Sequence, residues 1–427
     1  MKLSGLARVA LCATALLMSA ATFAAKKDTK SVDEFPNATR KEPKATMVER
    51  EQRELSKAAD LVNDGKGMEA LPIVEKVLGN PKSSKYAQAF ALQLKGRAYW
   101  DDDNEAEALA ATIKAIELDA LPNVHQFGLI YQVAQMYMQD EKYDQALSWI
   151  DRWEKESGQN TADSLALKSN LFYRLERYQD AIGTMKQAIA KSDAPHESWN
   201  QILMASYYEL DQFDEAAALV QSQLAKKPND IKLIKQLATI YVNGDKYPQA
   251  IEVLSKAKAQ GLITSPEDYM QLAKLYANAD KPKDAADTLR EGMSKGVVQP
   301  SLEAYRLLGD VCSQSEDDAC TIDAYTKASP FAADGNVDYQ LGYYLYYAER
   351  SAEAKEALNR AISKGGLRQE GEAYVMRGDI LSDLNDNAGA MADWRKAATF
   401  PSTKTMAEQR IKAATTGVKL RRPSTRK

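Results

Sequence analysis

A small residue, followed three positions later by an aromatic or aliphatic one and twelve positions later by alanine, recurs along most of this chain. Gly342, Leu345, Ala354, Leu358 and Ala361 show the pattern, as do Gly96, Tyr99, Ala108, Thr112 and Ala115. Ala238, Tyr241, Ala250, Leu254 and Ala257 repeat it, and so do Gly378, Leu381, Ala390, Trp394 and Ala397. The twelfth-step residue falls at Ala70, Ala108, Ala146, Ala181, Ala216, Ala250, Ala285, Thr321, Ala354 and Ala390, at spacings of 33 to 38 residues. Self-similarity at such a period points to stacked supersecondary units rather than a single globular core. The shorter steps of three and four residues are helical steps. Polar turns such as Glu-Lys-Tyr-Asp (141–144) and Asp-Gln-Phe-Asp (211–214) divide each unit into two helices. Small residues let the paired helices approach and large ones fill the seam to the next unit, so no unit buries its apolar face alone.

Outside the repeat the sequence changes character. Lys2 and Arg8 precede a small-residue apolar run, Val9 to Ala21, and Thr22-Phe23-Ala24 offers a cleavage site, so residues 1–24 read as an export signal. That run is too short to span a bilayer core of roughly 30 Å. Cys12 follows Leu11, a poor match to a lipoprotein box. Residues 25–45, with Pro36 and Pro43, read as a flexible, solvated leader; 46–401 as the repeat, with an irregularity at 329–336; 402–418 as a capping helix; and 419–427 as a solvated basic tail. A soluble periplasmic protein is expected. Pro72 inside a second helix, Thr321 in place of the alanine and the irregular segment Ser329 to Asn336 are departures expected to bend or divide the stack.

The repeat resembles the tetratricopeptide repeat, a helix-turn-helix unit of about 34 residues. That resemblance implies an all-α fold, a right-handed α-solenoid of about ten such units, and a concave groove lined from the position after the small residue. It places Arg97, Trp100, Tyr131, Gln135, Asn170, Tyr173, Tyr208, Lys235, Lys274, Arg306, Tyr339, Tyr343 and Tyr346 in a partner-binding groove. Tyr339, Tyr343 and Tyr346 share one helix face; Tyr344 and Tyr347 point to the next unit or to solvent. Tyrosine offers contact area with few rotors, and Arg, Asn and Gln can bond an extended backbone. The competing reading is that the tyrosines only fill a tightly wound superhelix.

Little else carries chemistry. With 56 basic and 60 acidic residues the formal charge is -4, which gives no footing for nucleic-acid binding by bulk charge. The two histidines, His125 and His196, precede first helices of non-adjacent repeats and read as surface or turn residues. No metal-ligand cluster, phosphate loop or nucleophile elbow is present, so neither catalysis nor a cofactor is expected. Cys312 and Cys320 stand eight apart across a polar turn, either as a disulfide stapling one hairpin, the favoured reading, or as two separate core residues. A redox-active pair is not expected, because the spacing is not Cys-x-x-Cys and the sequence shows no helix N-terminus or basic group beside either thiol.

Residues 268–298 and 357–381, with Gly292, Gly296 and Lys364-Gly365-Gly366-Leu367, are similar to periplasmic tetratricopeptide proteins that accompany TonB, ExbB and ExbD. The resemblance implies a non-enzymatic envelope scaffold that binds TonB or the ExbB–ExbD motor and helps energise outer-membrane transport. Two alternatives stay open at this point: an envelope-assembly or polysaccharide-export factor, and a solenoid that binds a glycan or small molecule in an aromatic groove.

Overall fold

The computed structural model describes residues 34–416, and all regular structure among them is helical. The expected export signal, the start of the leader and the basic tail lie outside the described residues. The chain forms an α-solenoid in two units that part between Leu175 and Glu176. The N-terminal unit holds α1 (Glu49–Asn63), α2 (Gly67–Leu78), α3 (Lys85–Asp101), α4 (Glu105–Glu117), α5 (Asn123–Gln139), α6 (Tyr143–Ser157) and α7 (Ala162–Arg174). The C-terminal unit opens with α8 (Tyr178–Lys191), α9 (Glu197–Glu209), α10 (Phe213–Lys226), α11 (Ile231–Asn243), α12 (Tyr247–Ala259), α13 (Pro266–Asn278) and α14 (Pro282–Ser294). It continues through α15 (Leu302–Gln314), α16 (Asp318–Ala328), α17 (Asn336–Tyr347), α18 (Ser351–Lys364), α19 (Glu370–Asp383), α20 (Asn387–Ala397) and α21 (Lys404–Thr415). No helix among the described residues is long and apolar enough to cross a membrane.

The hairpins close by one recurrent device. The second residue after the first helix takes the left-handed conformation, at Asp103, Glu141, Asp211, Asp245, Asp280, Glu316, Glu349 and Asn385, with φ between 52° and 64°. The next amide then reaches back five residues, as Lys142 N to Tyr137 O at 2.8 Å and Arg350 N to Leu345 O at 2.9 Å, which satisfies an orphan carbonyl. An L-residue pays steric energy there that glycine does not. Glu349→Gly is therefore expected to raise the unfolding free energy by about 0.5–1 kcal/mol, read by chemical denaturation.

The repeat's small positions are where helices touch. Ala70, Ala146, Ala216, Ala250, Ala285, Ala354 and Ala390 are fully buried. Thr321 fits the same slot because its hydroxyl bonds to the Asp317 carbonyl at 2.9 Å, so the expected disturbance does not arise. Helix α2 likewise runs on through the exposed Pro72. At Gly342 an added Cβ would stand 2.7 Å from Leu358 Cγ, and only glycine allows that approach.

Two expectations about irregular segments need correction. Residues 34–46 are not a free leader but a strap across α5 and α6. Phe35 meets Phe127 edge-on at 4.8 Å, Thr39 N donates to Glu156 O at 3.0 Å, and Arg40 reaches Asp119 at 2.5 Å and Asn123 at 2.7 Å. Gln159 donates to the Glu34 carbonyl, and Asn37 lies so close over Gly158, at φ 68°, that a side chain on Gly158 would strike the Asn37 backbone. The sequence hid this because each partner lies some 80 to 125 residues away.

The stretch 329–336 does not divide the stack either. After a 3-10 turn, Ser329–Phe331, it is tied to the far end of α18: Gly335 N donates to Gly365 O at 2.8 Å and Lys364 Nζ to Ser329 O at 2.7 Å. Beneath it Asp338 is fully buried, with Ser329 Oγ at 2.6 Å, Arg360 Nε at 2.9 Å and Lys364 Nζ at 2.7 Å. Cys312 in α15 and Cys320 in the first turn of α16 form a disulfide, their Cα atoms 5.8 Å apart.

Candidate binding groove

The groove residues read from the sequence all lie on first helices, yet many of them are already engaged within the chain. In the N-terminal unit Arg97 is exposed and turned onto Asp101 of its own helix at 2.9 Å. Trp100 borders a shallow depression with Leu109 and Met136. Gln135 is exposed. Tyr131 is half-buried edge-on to Trp153 at 5.5 Å, and burial pushes its phenol well above the usual range. Asn170 is buried, which removes it from an open surface, and Tyr173 is half-buried with contacts of its own.

In the C-terminal unit a ladder crosses from one first helix to the next. Lys235 on α11 pairs with the buried Asp268 on α13 at 2.6 Å, and Lys274 on α13 with Glu303 on α15 at 2.9 Å. Tyr339 on α17 donates to Glu372 on α19 at 3.0 Å, and burial together with that carboxylate drives its phenol upward. Arg306 stays within α15, facing Asp310 at 3.9 Å. Tyr208 is half-buried against Phe213 at 5.6 Å, and its phenol too is raised by burial.

Tyr339 and Tyr346 are each 6 % exposed, so the structure corrects their placement in an open groove. They lie in the core cluster around α17, and the half-buried Tyr343 stacks among Tyr344 and Tyr347 at 5.3 and 4.6 Å. Tyr344 does not face the next repeat; it is buried against Tyr325 at 5.8 Å and bonds Ser313, both in the preceding hairpin. An interior accepts these rings because each hydroxyl can find a partner on a neighbouring helix.

Open space lies instead at α13. A groove of about 510 Å³ runs along it between α11 and α15. Val242, Met270, Leu275 and Val298 form its apolar floor, while Glu267, Gln271, Lys274, Asn278 and Gln299 line it with polar groups. The loops into α13 and α15 are long, with left-handed glycines at Gly261 and Gly296. They tuck Ile263 and Val298 into the core, and Gly292 permits this because a Cβ there would meet Val298 Cγ2 at 2.7 Å. Of the groove residues read from the sequence only Lys274 belongs here. Met270 lay within reach of the same logic, since it stands three before the small Ala273 as Tyr339 stands three before Gly342.

Such a groove can seat one or two large side chains on its floor, while amides on its sides bond an extended backbone. Among the described residues no group of three or more His, Cys, Asp and Glu is placed to hold a metal ion. His125 is not a surface residue: it sits half-buried in the first turn of α5, 3.3 Å from Gln93, and burial holds its pKa below the usual value. His196 is exposed at the N-terminus of α9, edge-on to Trp199 at 5.3 Å.

Residues 339–403, from α17 to just past α20, match the family model described as a tetratricopeptide repeat. The tetratricopeptide reading is supported. No curated protein matches the chain. Among solved structures it is similar to a tetratricopeptide repeat protein from Parabacteroides merdae, at 15% identity over 62% of this chain and 99% of that one, TM-score 0.37. It is also similar to YrrB, described as a TPR protein with an unusual peptide-binding site, at 16% identity over 46% and 100%, TM-score 0.38. A third is MamA, at 23% identity over 40% and 97%, TM-score 0.33. The groove is formed by this chain's own helical hairpins.

Proposed function

We propose that the chain is a non-enzymatic scaffold that holds a protein partner through the groove along α13. The observation that carries this reading is the groove itself: an apolar floor of Val242, Met270, Leu275 and Val298 with amide side chains beside it, open in a face where the neighbouring charges pair with one another. An extended segment with a large apolar side chain is the occupant this chemistry suits. In its most specific form the partner belongs to a TonB–ExbB–ExbD system in the periplasm, a reading supported by the export-type leader and by the resemblance of residues 268–298 and 357–381.

In-cell crosslinking from a photoreactive residue at Gln271, with mass spectrometry of the adducts, tests both levels. Adducts to TonB, ExbB or ExbD that vanish in Met270→Arg support the specific form. Adducts to other envelope proteins, lost in the same variant, support the scaffold and overturn its TonB-linked form. Crosslinks that are internal only, or insensitive to Met270→Arg, overturn the groove.

A further inference from the structure

The two sulfurs of the Cys312–Cys320 disulfide sit in unequal surroundings. Cys312 is fully buried in the core cluster that α15 shares with α13 and α14. Arg290, on α14, places Nη2 3.7 Å from its sulfur and 3.4 Å from Asp317, while Nη1 faces Asp287 at 3.3 Å. Cys320 is partly exposed in the first turn of α16, where its amide donates to Asp317 Oδ1 at 3.0 Å and Asp318 lies close in sequence. A thiolate at Cys312 would therefore face a guanidinium, while Cys320 stands at the N-terminus of α16, whose amides also favour a thiolate, so the expectation of neither beside these thiols is corrected. What sets the direction of attack is that Cys320 is the accessible sulfur and Cys312 the enclosed one beside Arg290. In thiol–disulfide exchange the sulfur that forms the more stable thiolate leaves, and the accessible one is attacked.

We infer that Cys312–Cys320 is an exchange site for an external dithiol, attacked at Cys320 with Cys312 as the leaving group held by Arg290. The dithiol's thiolate bonds to Cys320 Sγ as the S–S bond breaks, and the electron pair leaves on Cys312 Sγ. The second thiol of the reagent, deprotonated, then closes its own disulfide and releases Cys320 as a thiolate. The two protons given up by the dithiol return to the two cysteines, so the reagent is oxidised and the protein reduced by two electrons. The site lies where one core cluster ends, at Cys312 and Ala324, and the next begins, at Ile322 and Tyr325. Reduction would untie the α15–α16 turn at that seam, and α15 is also one wall of the groove.

The test reduces the folded full chain with dithiothreitol and counts alkylated thiols by mass. The rate is expected to rise in proportion to dithiothreitol, to fall about tenfold in Arg290→Met and to be largely kept in Arg290→Lys. With glutathione, a monothiol, the trapped mixed disulfide should map to Cys320, a regiochemistry that a merely structural Arg290 would not set. A rate independent of reductant concentration, an Arg290→Met variant reduced as fast as the natural chain, or glutathione found on Cys312 would each overturn the inference.

Discussion

Replacing Asp338 with alanine is expected to destabilise the C-terminal unit by about 3–5 kcal/mol, because two cations are left beside a buried gap. Asp338 is 0 % exposed and gathers Arg360, Lys364 and Ser329 around one carboxylate. Arg360 is 47% exposed in its side chain and can turn to water, whereas Lys364 is also held by the Ser329 carbonyl. Asp338→Asn should therefore retain the Ser329 bond yet lose most of the same stability, since the amide carries no charge to hold Lys364. Denaturant unfolding of both variants checks this. A loss below about 1 kcal/mol for alanine would mean that the loop 329–336 is anchored by its backbone bonds alone.

The second large effect concerns a fit between a missing side chain and a large one. Trp394 is 1 % exposed, its indole N–H donates to Asp379 at 3.0 Å, and a Cβ on Gly378 would stand 2.6 Å from its ring. Trp394→Ala is expected to cost about 3–5 kcal/mol as a cavity, and Gly378→Ala about 1–3 kcal/mol as an overpacked contact. The double variant should lose clearly less than the two costs combined, because the cavity accepts the new methyl group. Full additivity would show that the two residues do not share one space.

What was legible in the sequence were features that act over short distances. The alanine and glycine positions fix where helices approach, and the polar turns mark where a hairpin closes. Both are set by neighbours within one hairpin, so the period alone shows them. The groove was harder to read for the opposite reason. Lys235, Lys274 and Tyr339 were assigned to it by their place on the first helix, but each one's partner stands on the next first helix, about thirty residues further on. Whether a polar side chain faces water or a carboxylate there depends on inter-repeat packing, which a single-repeat pattern does not encode. The loop before α15 contributes Val298, Gln299 and Ser301 to the groove at α13, whereas in the sequence this stretch stood out only through Gly296 and its family resemblance. The environment of Cys312 was hidden similarly, because Arg290 approaches from the preceding hairpin.

The strap over α5 and α6 changes how the first helices come apart. In a plain stack each repeat touches only its neighbours, so the terminal hairpin can fray by breaking a single interface. Here the chain just before α1 is fastened through Phe35, Thr39 and Arg40 to the hairpin two further along. The end hairpin cannot peel far away unless that clasp also opens. Local opening in the N-terminal unit thereby becomes a joint event of three hairpins, and amide exchange in α1 and α2 should track that of α5 and α6 rather than run ahead of it.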